Sequence, residues 1–207
     1  GGADPNYTLA LQNGALTVNP APLTATAEDK TRVYGDANPA LTIAYTGLKN
    51  DDVAPVTPPA IACEATPASP VGNYPIILAG GADPNYTLAL QNGVLTVTRR
   101  MLTVTADNAS RLYGDPNPNL TMTYNGFAAG DDVGDLDVAP IAACAATPAS
   151  PVGEYAIIPA NGVDANYDFA YVNGVLTVTP APLIATAENK SRVYGDANPA
   201  LTIAYTG

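Results

Sequence analysis

The sequence has no histidine and no tryptophan, and only two phenylalanines, two methionines and two cysteines among its 207 residues. Without histidine the usual proton carrier at neutral pH is missing, which weighs against general acid–base catalysis. There is no glycine-rich phosphate loop and no nucleophile elbow. Carboxylates recur with the repeat or sit in turns, not as a pair facing one cleft. Positive charge is scarce: Lys and Arg total 8 against 19 Asp and Glu, for a formal net charge of −11. A surface of that sign repels nucleic acid and anionic membrane faces, so neither is expected as a partner. No apolar stretch is long enough to span a membrane, and no direct membrane insertion is expected. No signal peptide is present either. The chain opens in the middle of a repeat and reads as an excerpt.

Ala, Val and Leu dominate the apolar residues, with 12 tyrosines beside them, and 20 prolines and 18 glycines punctuate short apolar runs. Small, β-branched and tyrosine side chains suit thin sheet-on-sheet cores. The runs repeat. Residues 1–18, GGADPNYTLALQNGALTV, return at 80–97 with one change, Ala15 to Val94. Residues 20–47 return at 180–207 with three changes, Thr24 to Ile184, Asp29 to Asn189 and Thr31 to Ser191. A more divergent copy lies between them, and Tyr34, Tyr113 and Tyr194 mark a period of about 80 residues. That period is domain-sized rather than solenoid-sized. The expected organisation is the end of one repeat (1–19), a full repeat of one type (20–98), a full repeat of a second type (99–179) and the start of another (180–207).

Within a repeat the hydrophobic period is two. Leu102, Val104 and Ala106 alternate with Thr103 and Thr105, and Leu176 and Val178 alternate with Val175 and Thr177. Alternation of this kind predicts strands with one buried face. Six or seven short strands per repeat predict a small immunoglobulin-like β-sandwich. Asn13-Gly14, Asn92-Gly93 and Asn173-Gly174 separate the last two runs of each copy and predict type I′ hairpins. Tyr34-Gly35-Asp36, Tyr113-Gly114-Asp115 and the same triplet at Tyr194 predict a turn, with the ring in the core. The joints are short, and Pro-x-Pro stiffens two of the three, so a semi-rigid rod of modules is expected, with strand sharing across joints an open alternative.

The ordered pattern LTVTA, R-(V/L)-YGD-x-NP-x-LT, SPVG-x-Y and NY with NG-x-LTV resembles the MBG domain of the YGX type. The resemblance covers both full repeats and both partial ones. It implies tandem arrays in large secreted bacterial proteins, often adhesins of the filamentous-haemagglutinin kind, with roles in surface attachment and biofilm. It carries over no catalytic residue and no cofactor. The cysteine in each full repeat is a departure from what that family requires.

Other candidate sites are few. Cys63 and Cys144 occupy matching positions one repeat apart, and the alternation that puts Glu64 outward puts Cys63 inward. They read as small buried apolar residues, with an intermolecular disulfide as the alternative. Asp131, Asp132, Asp135 and Asp137 offer hard oxygen ligands for calcium, against the simpler reading of a solvated loop. Arg99 and Arg100 are the only basic pair, read as a joint-facing ion pair in preference to an anionic-glycan site. Neighbouring repeats are the expected partners. Three functions compete: an extracellular spacer, repeats that themselves bind polysaccharide through exposed aromatics such as Tyr7 and Tyr86, and a self-assembling filament or surface layer.

Overall fold

The structure is a computed structural model that describes residues 5–207. The described residues contain strands and one short 3-10 turn but no α-helix, so none is available to cross a membrane. They divide into two compact units. The first comprises residues up to Arg32, Ala37–Thr66 and Gly72–Val97, and the second Val33–Asp36, Pro67–Val71 and Thr98–Gly207.

Seven strands come from the first full repeat: β1 (Ala21–Ala27), β2 (Lys30–Val33), β3 (Ile43–Thr46), β4 (Ala60–Ala62), β5 (Gly72–Ala79), β6 (Tyr86–Gln91) and β7 (Gly93–Thr98). They form a three-stranded sheet in the order β3-β1-β6 and a four-stranded sheet in the order β2-β7-β5-β4. Strand β1 pairs antiparallel with β3 and parallel with β6, with Ala21 opposite Tyr86. The alternation in β1 turns Leu23, Ala25 and Ala27 inward while Thr24 and Thr26 stay partly wet. Ile76 and Leu78 of β5 and Leu95 of β7 meet Ala25 and Ala27 in the core. Facing alanines keep the layer thin, and each buried Ile or Leu contributes about 1.5–3 kcal/mol over its exposed state.

The second full repeat builds the same topology from β8 (Arg100–Ala106), β9 (Ala109–Leu112), β10 (Met122–Asn125), β11 (Ile141–Cys144), β12 (Gly153–Ala160), β13 (Tyr167–Val172) and β14 (Gly174–Thr179). The sheets run β10-β8-β13 and β11-β12-β14-β9. Ala106, Ala146, Ile157 and Leu176 form the core, and the alternation in β8 buries Leu102 and Val104 as well. The two-sheet, seven-stranded sandwich agrees with the sequence expectation. Parallel pairing of β8 with β13 and of β9 with β14 sets it apart from an all-antiparallel immunoglobulin pattern. The remaining strands, β15 (Ile184–Ala187) and β16 (Ile203–Thr206), pair antiparallel with each other in a two-stranded sheet.

The hairpin expectation fails. Strands β6 and β7 belong to different sheets, and Asn92 is the single residue between them. The dipeptide therefore carries the chain across the sandwich. Asn92 Oδ1 accepts the Leu78 amide at 3.0 Å. A Cβ on Gly93 would lie 2.5 Å from the Ala27 carbonyl oxygen, so glycine is needed for close approach and not for a left-handed φ. Asn173-Gly174 links β13 to β14 in the same way, with Gly174 equally close to the Ala106 carbonyl. Asn13-Gly14 lies in a segment without strand structure, and nothing stands within 4 Å of a Cβ on Gly14. Residues 1–4 lie outside the described part.

Candidate functional site: the tyrosine turn and the surface that receives it

Val33–Asp36 form a turn closed by the Asp36 amide donating to the Val33 carbonyl, with Gly35 at φ 85°. A type II turn demands positive φ at that third position, and glycine adopts it without a Cβ penalty. Behind the turn lies a clamp that motif reading did not anticipate. Arg32 is buried; its Nε donates to Asn38 Oδ1 at 2.8 Å, and Nη2 donates to the Thr66 carbonyl. Asn38 Nδ2 in turn donates to the Ala65 carbonyl at 2.6 Å. Arg111, Asn117, Ala146 and Thr147 repeat this arrangement, with Nε to Oδ1 at 2.8 Å. The R…YGD-x-N spacing is thus a buried hydrogen-bond circuit that fixes the turn from behind. Each guanidinium bonds carbonyls and an amide oxygen, which satisfies its donors at burial.

The turn belongs to the second compact unit although its sequence belongs to the first repeat. The Tyr34 ring, 8% exposed, packs edge-on against Tyr167 at a centroid distance of 5.6 Å and an interplanar angle of 83°. Phe127 meets Tyr167 in the same edge-to-face manner, a geometry that suits ring quadrupoles. A Cβ on Gly35 would come within 2.4 Å of the Ala128 Cβ, so the turn is seated tightly. Arg100 Nη1 donates to Asp36 Oδ1 at 2.8 Å and to the Tyr34 carbonyl at 3.0 Å, while its Nε reaches the Gly126 carbonyl at 2.9 Å. The Tyr167 hydroxyl donates to Asp131 Oδ2 at 2.7 Å and accepts the Ala128 amide at 2.9 Å. Burial first, then the Asp131 carboxylate, pushes both the Tyr34 and Tyr167 phenols above their ordinary value.

The other turns stand differently. Gly114 and Gly195 share the positive φ of Gly35, but Tyr113 is 48% exposed and Tyr194 fully exposed. The expectation of a core ring therefore holds for neither, and the Tyr34 ring is buried against Tyr167 rather than among the core residues of its own sandwich. What buries such a ring is a receiving surface, not the turn that presents it.

Each of the four aspartates has a local structural role. Asp131 accepts from Tyr167, Asp132 caps the short 3-10 turn, Asp135 accepts the Asp132 amide at 2.8 Å, and Asp137 accepts the Ala165 amide at 3.2 Å. Among the described residues no group of three or more acidic, histidine or cysteine side chains is arranged to hold a metal ion. Cys63 and Cys144 carry free thiols and lie half-buried against the two cores, with Glu64 outward. Arg99 pairs with Asp168 at 3.2 Å and Arg100 with Asp36, so both members of the basic pair have carboxylate partners. Tyr86 is buried and uses its hydroxyl on Asp52 and Lys49, so its face is not offered to a glycan, whereas Tyr7 is exposed.

Two whole sandwiches of one topology, each with the same buried arginine–asparagine clamp behind the same turn, define a tandem structural repeat. A family model for the MBG domain (YGX type) matches residues 23–96 and 102–177, and the chain belongs to that family. A comparison with curated proteins gives no match.

Proposed function

We propose that the chain is a stretch of spacer repeats from the stalk of an extracellular bacterial surface adhesin, holding a distal contact domain away from the cell and supporting biofilm contacts. The observation that carries this reading is repetition at the level of side chains. The two full repeats differ in many residues yet keep one topology, one clamp and one turn. What is kept is the machinery of the repeat itself, as a spacer requires. The absence of histidine and of any phosphate loop fits a role without catalysis. The acidic charge suits a crowded, soluble outer surface.

A glycan array probed with this chain alone tests the reading. A spacer gives no retained signal on any polysaccharide. Saturable retention on one glycan class, lost on competition with the free sugar, would transfer the adhesive role to the repeats themselves.

A further inference from the structure

The triplet Asn-x-Ser/Thr, the acceptor pattern for N-linked sugar, begins at Asn6, Asn85, Asn108, Asn119 and Asn189. The repeat reduces these to three positions, because Asn6 matches Asn85 and Asn189 matches Asn108. Two of the three have structural work. Asn166 stands at the Asn85 position of the second full repeat, and its Oδ1 accepts the Val71 amide at 2.9 Å. Asn108 Oδ1 accepts the Val175 amide at 2.8 Å, as Asp29 Oδ1 accepts the Val94 amide at 2.7 Å in the first. Asn119 differs. Its counterparts in the other repeat type are Ala40 and Ala200, so the fold needs no amide there. Among the described residues none forms a hydrogen bond with the Asn119 side chain. Asn119 is exposed, and so is Ala40 with a whole repeat following it, so the exposure belongs to the position in the fold.

We propose that Asn119 is an acceptor for N-linked glycosylation, within the triplet Asn119-Leu120-Thr121. The triplet lies outside regular structure, between the Tyr113 turn and β10. Leu120 packs against the core, while Asn119 and Thr121 on either side of it are exposed. The anchored leucine thus presents the amide and the hydroxyl outward together, as a transferase needs. Thr121 Oγ1 donates to Asp107 Oδ2 at 2.6 Å, which leaves its lone pairs to be read by the enzyme. Thr42 donates to Glu28 in the same way, so the hydroxyl is common to both repeat types and the asparagine is not. The co-reactant is a sugar activated as a diphosphate ester. Asn119 Nδ2 forms a bond to the anomeric carbon, and the bond from that carbon to the phosphate oxygen breaks. Its electron pair leaves on the diphosphate, and one Nδ2 proton passes to a transferase base. Strand β10 is an outer strand of its sheet, and a sugar at its entrance adds hydrated bulk that opposes edge-to-edge pairing. The inference rests on the fold and goes beyond the stalk reading.

The test incubates the folded chain with uridine-diphosphate glucose and a purified soluble asparagine glucosyltransferase, then maps its peptides by mass spectrometry. The expected product is one hexose on the peptide that contains Asn119. Asn119→Gln alters an exposed side chain without partners, so the fold is retained, and the added mass should disappear. Thr121→Ala should abolish it as well, and Thr121→Ser should restore it. An Asn119 that stays bare in the folded chain overturns the proposal, as does modification of Asn108 ahead of Asn119. Persistence of the hexose in Thr121→Ala overturns it equally, because the triplet is then not what is read. The same peptide from protein recovered from the cells that make it should carry sugar, and a bare Asn119 in that material counts against the proposal in the same way.

Discussion

Asn117→Ala should destabilise the second sandwich by about 3 kcal/mol, while the same substitution at Asn198 should cost under about 0.5 kcal/mol. Both asparagines follow the same Tyr-Gly-Asp triplet in nearly the same words. Asn117 accepts from buried Arg111 Nε at 2.8 Å and donates to the Ala146 carbonyl at 2.6 Å. Truncation removes a charge-assisted bond worth roughly 1.5–3 kcal/mol and a neutral one worth roughly 0.5–1.5 kcal/mol. Arg111 is 7% exposed and Ala146 5%, so solvent replaces neither partner cheaply. Asn198 is exposed, and Arg192 beside it bonds main-chain carbonyls instead. Urea unfolding followed by far-ultraviolet circular dichroism reads the difference. At an m-value of about 1.5 kcal/mol/M the Asn117→Ala midpoint for the affected transition falls by about 2 M. Equal shifts for the two variants, or a shift below about 0.5 M for Asn117→Ala, would refute the clamp as an energetic element.

Three further outcomes follow from the same geometry. Gly93→Ala should lose about 1–3 kcal/mol through overpacking against the Ala27 carbonyl, whereas Gly14→Ala in the same Asn-Gly context should be neutral by thermal melting. On the alkaline side, Tyr34 and Tyr167 are raised by burial first, and Tyr86 by its bond to Asp52 first. A raised folded value means that their contribution is complete below the unfolded phenol pKa of about 10 and is lost as pH climbs through the folded values. Absorbance at 295 nm should therefore show a delayed ionisation class coincident with unfolding, and early complete ionisation of all twelve tyrosines in folded protein would count against it. The Arg100–Asp36 pair, with both side chains partly exposed, should contribute only about 0.2–1 kcal/mol and fade with salt; a double-mutant cycle at low and high ionic strength measures it.

The strands were legible because burial on one face enforces a period of two, and Leu23, Ala25 and Ala27 or Leu102, Val104 and Ala106 display it locally. The topology was less so. Asn-Gly serves a hairpin through its φ values and a crossover through its small size, and the sequence is identical in both uses; only the approach of the Ala27 carbonyl to Gly93 separates them. The arginine–asparagine clamp is visible as spacing, but its acceptors are the backbone of residues 65–66 and 146–147, where side-chain identity gives no signal. The tyrosine turn was recognisable at Tyr34, Tyr113 and Tyr194 alike. Whether its ring is buried depends on Tyr167 and Phe127, residues far along the chain that no local pattern connects to it.

The central structural claim is that the compact unit is out of phase with the sequence repeat, so that residues 33–36 stabilise the second sandwich. Hydrogen exchange by mass spectrometry on Tyr34→Ala tests it directly. The account predicts faster exchange in β8 and β13, which frame Tyr167 and Arg100, with β5 and β7 unchanged. Faster exchange confined to β5 and β7, with β8 and β13 as protected as before, would contradict it.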